Sequence, residues 1–151
     1  KVVDCLHKNG PLLLDRVHTN PMPTTAQEVR DAVIAIRRNK LPEVGDIGSA
    51  GSFFKNPVID TELFASLNIQ FPNMPYYKEE KGIKVPAAWL IEQCGWKGKQ
   101  QGGAQVYEKQ PLVIVNANHA TSTDIIALAA AVVDSVYQRF GIVISPEVNY
   151  I

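Results

Sequence analysis

Apolar positions at helical spacing are clearest near the C-terminal end. Ile125, Leu128, Ala129, Val132, Val136 and Phe140 recur every three or four residues, which predicts a long amphipathic helix. Thr121-Ser122-Thr123-Asp124 reads as a capping box at its start, and Gly141 ends it. The same spacing returns at Val29, Ala32, Val33 and Ile36, behind a second capping box at Thr25-Ala26-Gln27-Glu28. Arg37, Arg38 and Lys40 suit the negative end of that helix, and Leu41-Pro42 stops it. Two shorter helices are predicted, from Asp60 as N-cap to Leu67 and from Pro86 in the first turn to about Cys94, with Gly95 as the stop.

Strand-like runs are shorter: Lys1 to Leu6, Gln105 to Glu108, Leu112 to Asn116, and Ile142 to Ile144 ahead of Pro146 and an extended tail. A turn is expected at Asn9-Gly10-Pro11 and a connecting loop over residues 10–24, with their three prolines. Residues 43–52 (EVGDIGSAGS) are small and glycine-rich, either a loop or a strand with close backbone approach. Residues 68–85, with two prolines and the charged run Lys78 to Lys81, read as a loop, and Lys97 to Gly103 is polar and glycine-rich. There is no internal repeat. The mixture predicts an α+β domain rather than a doubly wound parallel sheet.

Composition then narrows the function classes. The 151 residues are 46% apolar, enough to bury a core, and 15 basic residues balance 15 acidic ones. Zero formal charge argues against a nucleic-acid footprint and against a polybasic membrane anchor. The longest apolar run, Ile125 to Val133, falls well short of the roughly 20 residues of a membrane span. Cys5 and Cys94 are too few for a disulfide scaffold, and with His7, His18 and His119 scattered they give no zinc pattern; no metal site is expected. Free thiols in a reducing compartment are the expectation. The chain opens at Lys1 inside a strand-like run, and so reads as a fragment of a longer protein.

The most unusual stretch is Gly48-Ser49-Ala50-Gly51-Ser52-Phe53-Phe54-Lys55-Asn56-Pro57. Its glycines allow a close backbone approach, and two serines, a lysine and an amide stand beside them. Such a loop either holds a ligand carbonyl or phosphate on its N–H groups, with Ser52 as proton donor, or is a structural turn. It fits neither a dinucleotide fingerprint nor a P-loop. Glu147, in a mostly apolar tail, is either half buried with a raised pKa or an exposed edge residue. Tyr76 and Tyr77 either stack on a ligand ring or pack on the core, where Trp89 and Trp96 are expected. Lys97 and Lys99 read as a diphosphate contact or a solvated loop.

At Gly48 to Pro57, and again at Val85 to Gly98 (VPAAWLIEQCGWKG), the sequence resembles the C-terminal part of the UDP-N-acetylenolpyruvoylglucosamine reductase family. Leu41-Pro42, Gln110 with Pro111 to Asn118, and Ser145-Pro146-Glu147-Val148 fit in the same order, so the resemblance covers about residues 25–151. It implies the substrate-binding C-terminal domain of a three-domain flavoenzyme, preceded by a remnant of the FAD-binding domain. The domain expectation is residues 1–45 as the end of the FAD-binding region, 46–140 as the substrate-binding domain, and 141–151 as C-terminal strands carrying Glu147. The family uses NADPH and FAD to reduce the enolpyruvyl group of UDP-N-acetylglucosamine enolpyruvate, giving UDP-N-acetylmuramate for peptidoglycan precursor synthesis in the bacterial cytoplasm.

By resemblance Ser52 is the proton donor and Glu147 helps stabilise the enolate-like intermediate. Lys40, Asn56, Tyr77, Lys84 and Gln110 match residues that hold the UDP-sugar, and Gly51 meets the flavin, which the family binds mainly upstream. The insertion around Tyr77 resembles the longer, type I-like variant. Ser49 stands where the family usually has Asn. A monomer is implied for the full-length protein, and no turnover for these 151 residues alone. The rival is a catalytically silent UDP-sugar-binding module that keeps the contacts but not the chemistry. A nucleic-acid-binding domain using Lys97 and Lys99 would require salt-sensitive oligonucleotide binding.

Overall fold

The computed structural model describes residues 25–42 and 47–149. The expected strand at Lys1 to Leu6, the turn at Asn9-Gly10-Pro11 and the loop over 10–24 lie outside them. The chain divides into two compact units, Lys1–Leu41 and Pro42–Ile151. Helix α1 (Ala26–Lys40) belongs to the first. Its capping box forms as predicted: Glu28 N–H donates to Thr25 Oγ1 at 3.2 Å, and Thr25 N–H donates to Glu28 Oε2 at 3.0 Å. At the far end Leu41 N–H closes the helix on the Arg37 carbonyl.

In the second unit the elements run β1 (Gly48–Ser52), β2 (Val58–Ile59), α2 (Thr61–Gln70), β3 (Tyr77–Glu79), β4 (Gly82–Lys84), α3 (Ala87–Gln93), β5 (Gln100–Gln101), β6 (Ala104–Val106), β7 (Val113–Asn116) and α4 (Ser122–Phe140). One sheet has the order β1-β7-β6-β5 and the other β2-β4-β3. Every pairing within them is antiparallel, so the α+β expectation holds. Within this unit one apolar core serves both sheets and helices α2, α3 and α4. It joins Ile59, Ile83 and Val85 to Val106 and Ile114, with Leu90 and Ile91 of α3 and Leu128, Val132, Val136 and Phe140 of α4. Burying each of these larger side chains contributes roughly 1.5–3 kcal/mol, which fixes α4 by its apolar stripe rather than by propensity.

The α4 capping box is also present: Asp124 N–H donates to Thr121 Oγ1, and Thr121 N–H and hydroxyl both donate to the Asp124 carboxylate. Those donors hold the Asp124 carboxyl below its ordinary range, with the Thr121 amide the largest cause. Gly141 ends the helix at φ 67°.

Two expectations are corrected. Residues 68–85 are not a loop: α2 runs on to Gln70, and Tyr77–Glu79 and Gly82–Lys84 form a hairpin. The charged run hid this hairpin because residues 78–81 are all exposed and Ile83 alone of residues 77–84 is buried. Gly82 permits the return, since at φ 146° a Cβ there would stand 2.5 Å from the Ile59 carbonyl oxygen. Second, Ile142 to Ile144 is not a strand. Ile142 and Ile144 are buried, yet the segment forms no ladder, and its only pairing among the described residues is a single antiparallel bridge further on, Phe54 with Pro146. A smaller adjustment is that the polar stretch after Lys97 contains β5, paired with β6.

Candidate functional site

The segment from Gly48 to Ile59 is the spine on which the expected site residues converge. Its first part, β1, pairs with β7 from Gly48–Asn116 to Ser52–Val113, with an irregularity between Ser49 and Ser52. Gly51 sits inside it at φ 78°, a backbone conformation costly for any residue with a Cβ, and nothing lies within 4 Å on the side a Cβ would occupy. That bulge turns the chain just before Ser52, which is exposed at the strand end.

Beyond Ser52 the chain changes partners. Phe53 N–H donates to the Leu112 carbonyl at 2.7 Å. Lys55 N–H then donates to the Ser145 carbonyl at 2.9 Å, and Glu147 N–H donates to the Phe53 carbonyl at 2.8 Å, bracketing the Phe54–Pro146 bridge. Residue 147 therefore stands beside residue 53, adjacent to Ser52, although 95 positions separate Ser52 from Glu147 (147 − 52). The Phe54 side chain, 1% exposed, anchors this crossing in the core, with Phe53 edge-on to it at 5.1 Å. Glu147 itself is exposed, which decides between the two alternatives left by the sequence.

The next residues reach the smaller sheet. Asn56 Oδ1 accepts the Ala87 N–H at 2.9 Å, capping α3 from 31 positions away. Pro86 occupies the N-cap position and has no side-chain oxygen to do this, so Asn56 supplies what the local sequence lacks. Val85 N–H donates to the Pro57 carbonyl, and Val58 pairs with Lys84, which pairs in turn with Tyr77. Lys84 Nζ donates to Glu79 Oε1 in an ion pair. Val58, Lys78, Glu79, Glu80 and Lys81 line an open cavity of about 660 Å³ beside this pair.

Gln110 is half buried in the turn between β6 and β7, its carbonyl accepting the Val113 N–H, two residues from the Leu112 contact with Phe53. Ser52, Gly51, Asn56, Tyr77, Lys84, Gln110 and Glu147 thus all lie on, or pair with elements next to, one stretch of backbone. Lys40 is the last residue of α1 in the other unit. Among the described residues no cluster of His, Cys, Asp and Glu is suited to a metal, and no helix is long and apolar enough to cross a membrane. Trp89 and Trp96 are partly buried against the core, as expected. Lys99 lies over the Trp96 ring and Lys97 pairs with Glu92, so neither is part of this convergence.

Residues 42–151 match the family described as UDP-N-acetylenolpyruvoylglucosamine reductase, C-terminal domain. The chain belongs to this family. Proteins named UDP-N-acetylenolpyruvoylglucosamine reductase are similar to it: 52% identical over 128 residues in Porphyromonas gingivalis, covering 84% of this chain and 38% of that protein. The protein from Bacteroides fragilis is 50% identical over 128 residues, covering 84% of this chain and 39% of its own length. The protein from Burkholderia ambifaria is 47% identical over 135 residues, covering 89% and 39%. The chain therefore spans about two fifths of the length of the curated relatives it matches.

Against this reductase C-terminal domain, two features escaped the sequence reading. Asn56 serves as a helix cap as well as a candidate ligand contact, a tertiary role with no local signal. Glu79 pairs with Lys84, and its signal was present: Tyr77-x-Glu79 ahead of Gly82-x-Lys84 alternates around Ile83, as a hairpin with one solvent face should.

Proposed function

We propose that these residues are the substrate-binding part of an enzyme that reduces the enolpyruvyl group of UDP-N-acetylglucosamine enolpyruvate to UDP-N-acetylmuramate, in bacterial peptidoglycan precursor synthesis. What supports the reading, beside family membership, is the pairing of residues 53–55 with 145–147, which sets an exposed hydroxyl and an exposed carboxyl at one strand crossing. FAD, reduced by NADPH, supplies the hydride in this reaction. The open side of Gly51 suits the close approach of a planar ring, whereas residues 1–47 carry no glycine-rich diphosphate cradle. The ring edge would meet Gly51, and the rest of the flavin would be held by a region upstream, of which residues 1–45 are the end. Residues 46–140 are then the substrate domain, and 141–151 the tail that brings Glu147.

The chain's own work is binding and proton delivery. Ser52 donates a proton to the substrate carbon next to the one reduced. A serine is a feeble acid in water, but a carbanionic centre fixed against it is a strong base, so position replaces acidity. Glu147 stands next to Ser52, where charge develops on the substrate carboxylate, and works there paired with a cation. Lys84 offers a cation to the diphosphate. Gln110 offers an amide to uracil or sugar hydroxyls, and Asn56, its Oδ1 committed to Ala87, offers its Nδ2 donor. Tyr77 closes over the nucleotide. A nucleotide-sugar substrate and NADPH put the reaction in the bacterial cytoplasm, and the full-length protein acts as a monomer.

The test is Ser52→Ala in an intact reductase carrying these residues. Flavin reduction by NADPH should proceed at the wild-type rate, while reoxidation by the UDP-sugar falls about 10²-fold or more. If both half-reactions stay within the range of a surface control substitution, Ser52 is not the donor. The chain would then be a silent UDP-sugar-binding module.

A further inference from the structure

The β3–β4 hairpin carries more than Tyr77 and Lys84. With Tyr77 opposite Lys84 and Glu79 opposite Gly82, residues 77, 79, 82 and 84 share one face, and Val58 joins them from β2. Ile83 turns the opposite way into the core at 6% exposure. On the shared face Lys84 and Glu79 are diagonal neighbours joined through Nζ and Oε1, their side chains 37% and 40% exposed. The face is therefore an exposed valine (45%), a half-buried tyrosine and one ion pair beside the open cavity.

We propose that Glu79 is a positioning residue for Lys84 in the recognition of a nucleoside-diphosphate sugar. This rests on the assignment of Lys84 to the substrate site. An unpaired lysine on a strand end samples many rotamers, and ordering it on binding costs affinity. Glu79 Oε1 accepts a hydrogen bond from one of the three ammonium N–H groups and holds the head over the face shared with Tyr77, leaving two donors for a phosphate oxygen. The carboxylate is anionic, yet at an exposed site its repulsion of the ligand is screened by salt, so geometry outweighs charge.

Variants of an intact reductase separate the two ideas. Lys84→Ala raises KM for UDP-N-acetylglucosamine enolpyruvate if Lys84 meets the ligand; an unchanged KM removes the site reading and the role of Glu79 with it. Glu79→Ala is expected to raise that KM about threefold to tenfold, the range for disordering one long side chain. It should leave kcat and flavin reduction by NADPH unchanged, and have no effect in the Lys84→Ala background. Glu79→Gln keeps an acceptor for Nζ without the charge, and should return KM to the wild-type value or below it. Tighter binding in both Glu79 variants would show that the carboxylate opposes the ligand and overturn the proposal. No change in Glu79→Ala, with a clear loss in Lys84→Ala, would overturn it while leaving the site reading intact.

Discussion

At the scale of single residues, chemistry in this domain depends on what surrounds each group rather than on residue type. Cys94 shows this most simply. Its thiol donates weakly to the Ser135 carbonyl, and burial pushes its pKa up, only partly offset by the Arg139 guanidinium. A raised pKa means less thiolate at any given pH, so alkylation of Cys94 by iodoacetamide should be slower in the folded chain than in urea. Its pH midpoint should lie above that of a free cysteine, and Arg139→Gln, which removes the nearby cation, should raise it further. Peptide-resolved mass spectrometry checks this, and a midpoint at or below the free value contradicts it. Sequence alone supplied the expectation of a free thiol but not its environment, which comes from α3 and α4 meeting 41 positions apart.

At the scale of elements, legibility followed locality. Both capping boxes, the helix stops at Leu41-Pro42 and Gly141, and the N-cap at Asp60 are short-range patterns, and each was readable. The hairpin at 77–84 was not, because a strand with one solvent face carries charges that mimic a loop. The start of α3 was half readable. Pro86 marked the position, while the cap itself comes from Asn56 across the fold. That division makes a prediction about the helix. Asn56→Ala leaves the Ala87 N–H without its protein acceptor and should destabilise the chain by about 1 kcal/mol, lowering Tm by about 3 °C. Asn56→Asp keeps an oxygen at the same place and adds a charge suited to a helix start, so its Tm should stay within about 1 °C of wild type. Both Asn56 variants should weaken UDP-sugar binding, since each removes the Nδ2 donor. Thermal denaturation beside titration reads the two roles apart, and equal Tm losses in both variants would remove the capping role.

At the scale of the whole molecule, the candidate site was legible as a set of residues and not as a place. Ser52 and Asn56 stood out because glycines, serines and an amide crowd one stretch. Nothing short-range announced that Glu147 would reach Phe53, that Gln110 would sit two residues from the partner of that same phenylalanine, or that Lys84 would pair with Val58. Those meetings depend on long-range antiparallel pairing around a shared core. Because that core and the spine both lie within Pro42–Ile151, most of the UDP-sugar contacts should assemble without help from elsewhere, whereas hydride delivery should not. The 151-residue chain is therefore expected to give a calorimetric binding signal with UDP-N-acetylglucosamine enolpyruvate, weakened by competing UDP, and no substrate-dependent oxidation of NADPH. Binding should be looser than in an intact reductase, since a ligand that also packs against a flavin loses those contacts here. A chain that is folded by circular dichroism yet silent in the titration would mean that the spine does not hold the UDP-sugar by itself. Turnover by the chain would mean that reduction does not need a flavin held by residues upstream of it. Either result would separate the two halves of the reading, because the first concerns Asn56, Tyr77, Lys84 and Gln110 and the second concerns what meets Gly51 and Ser52.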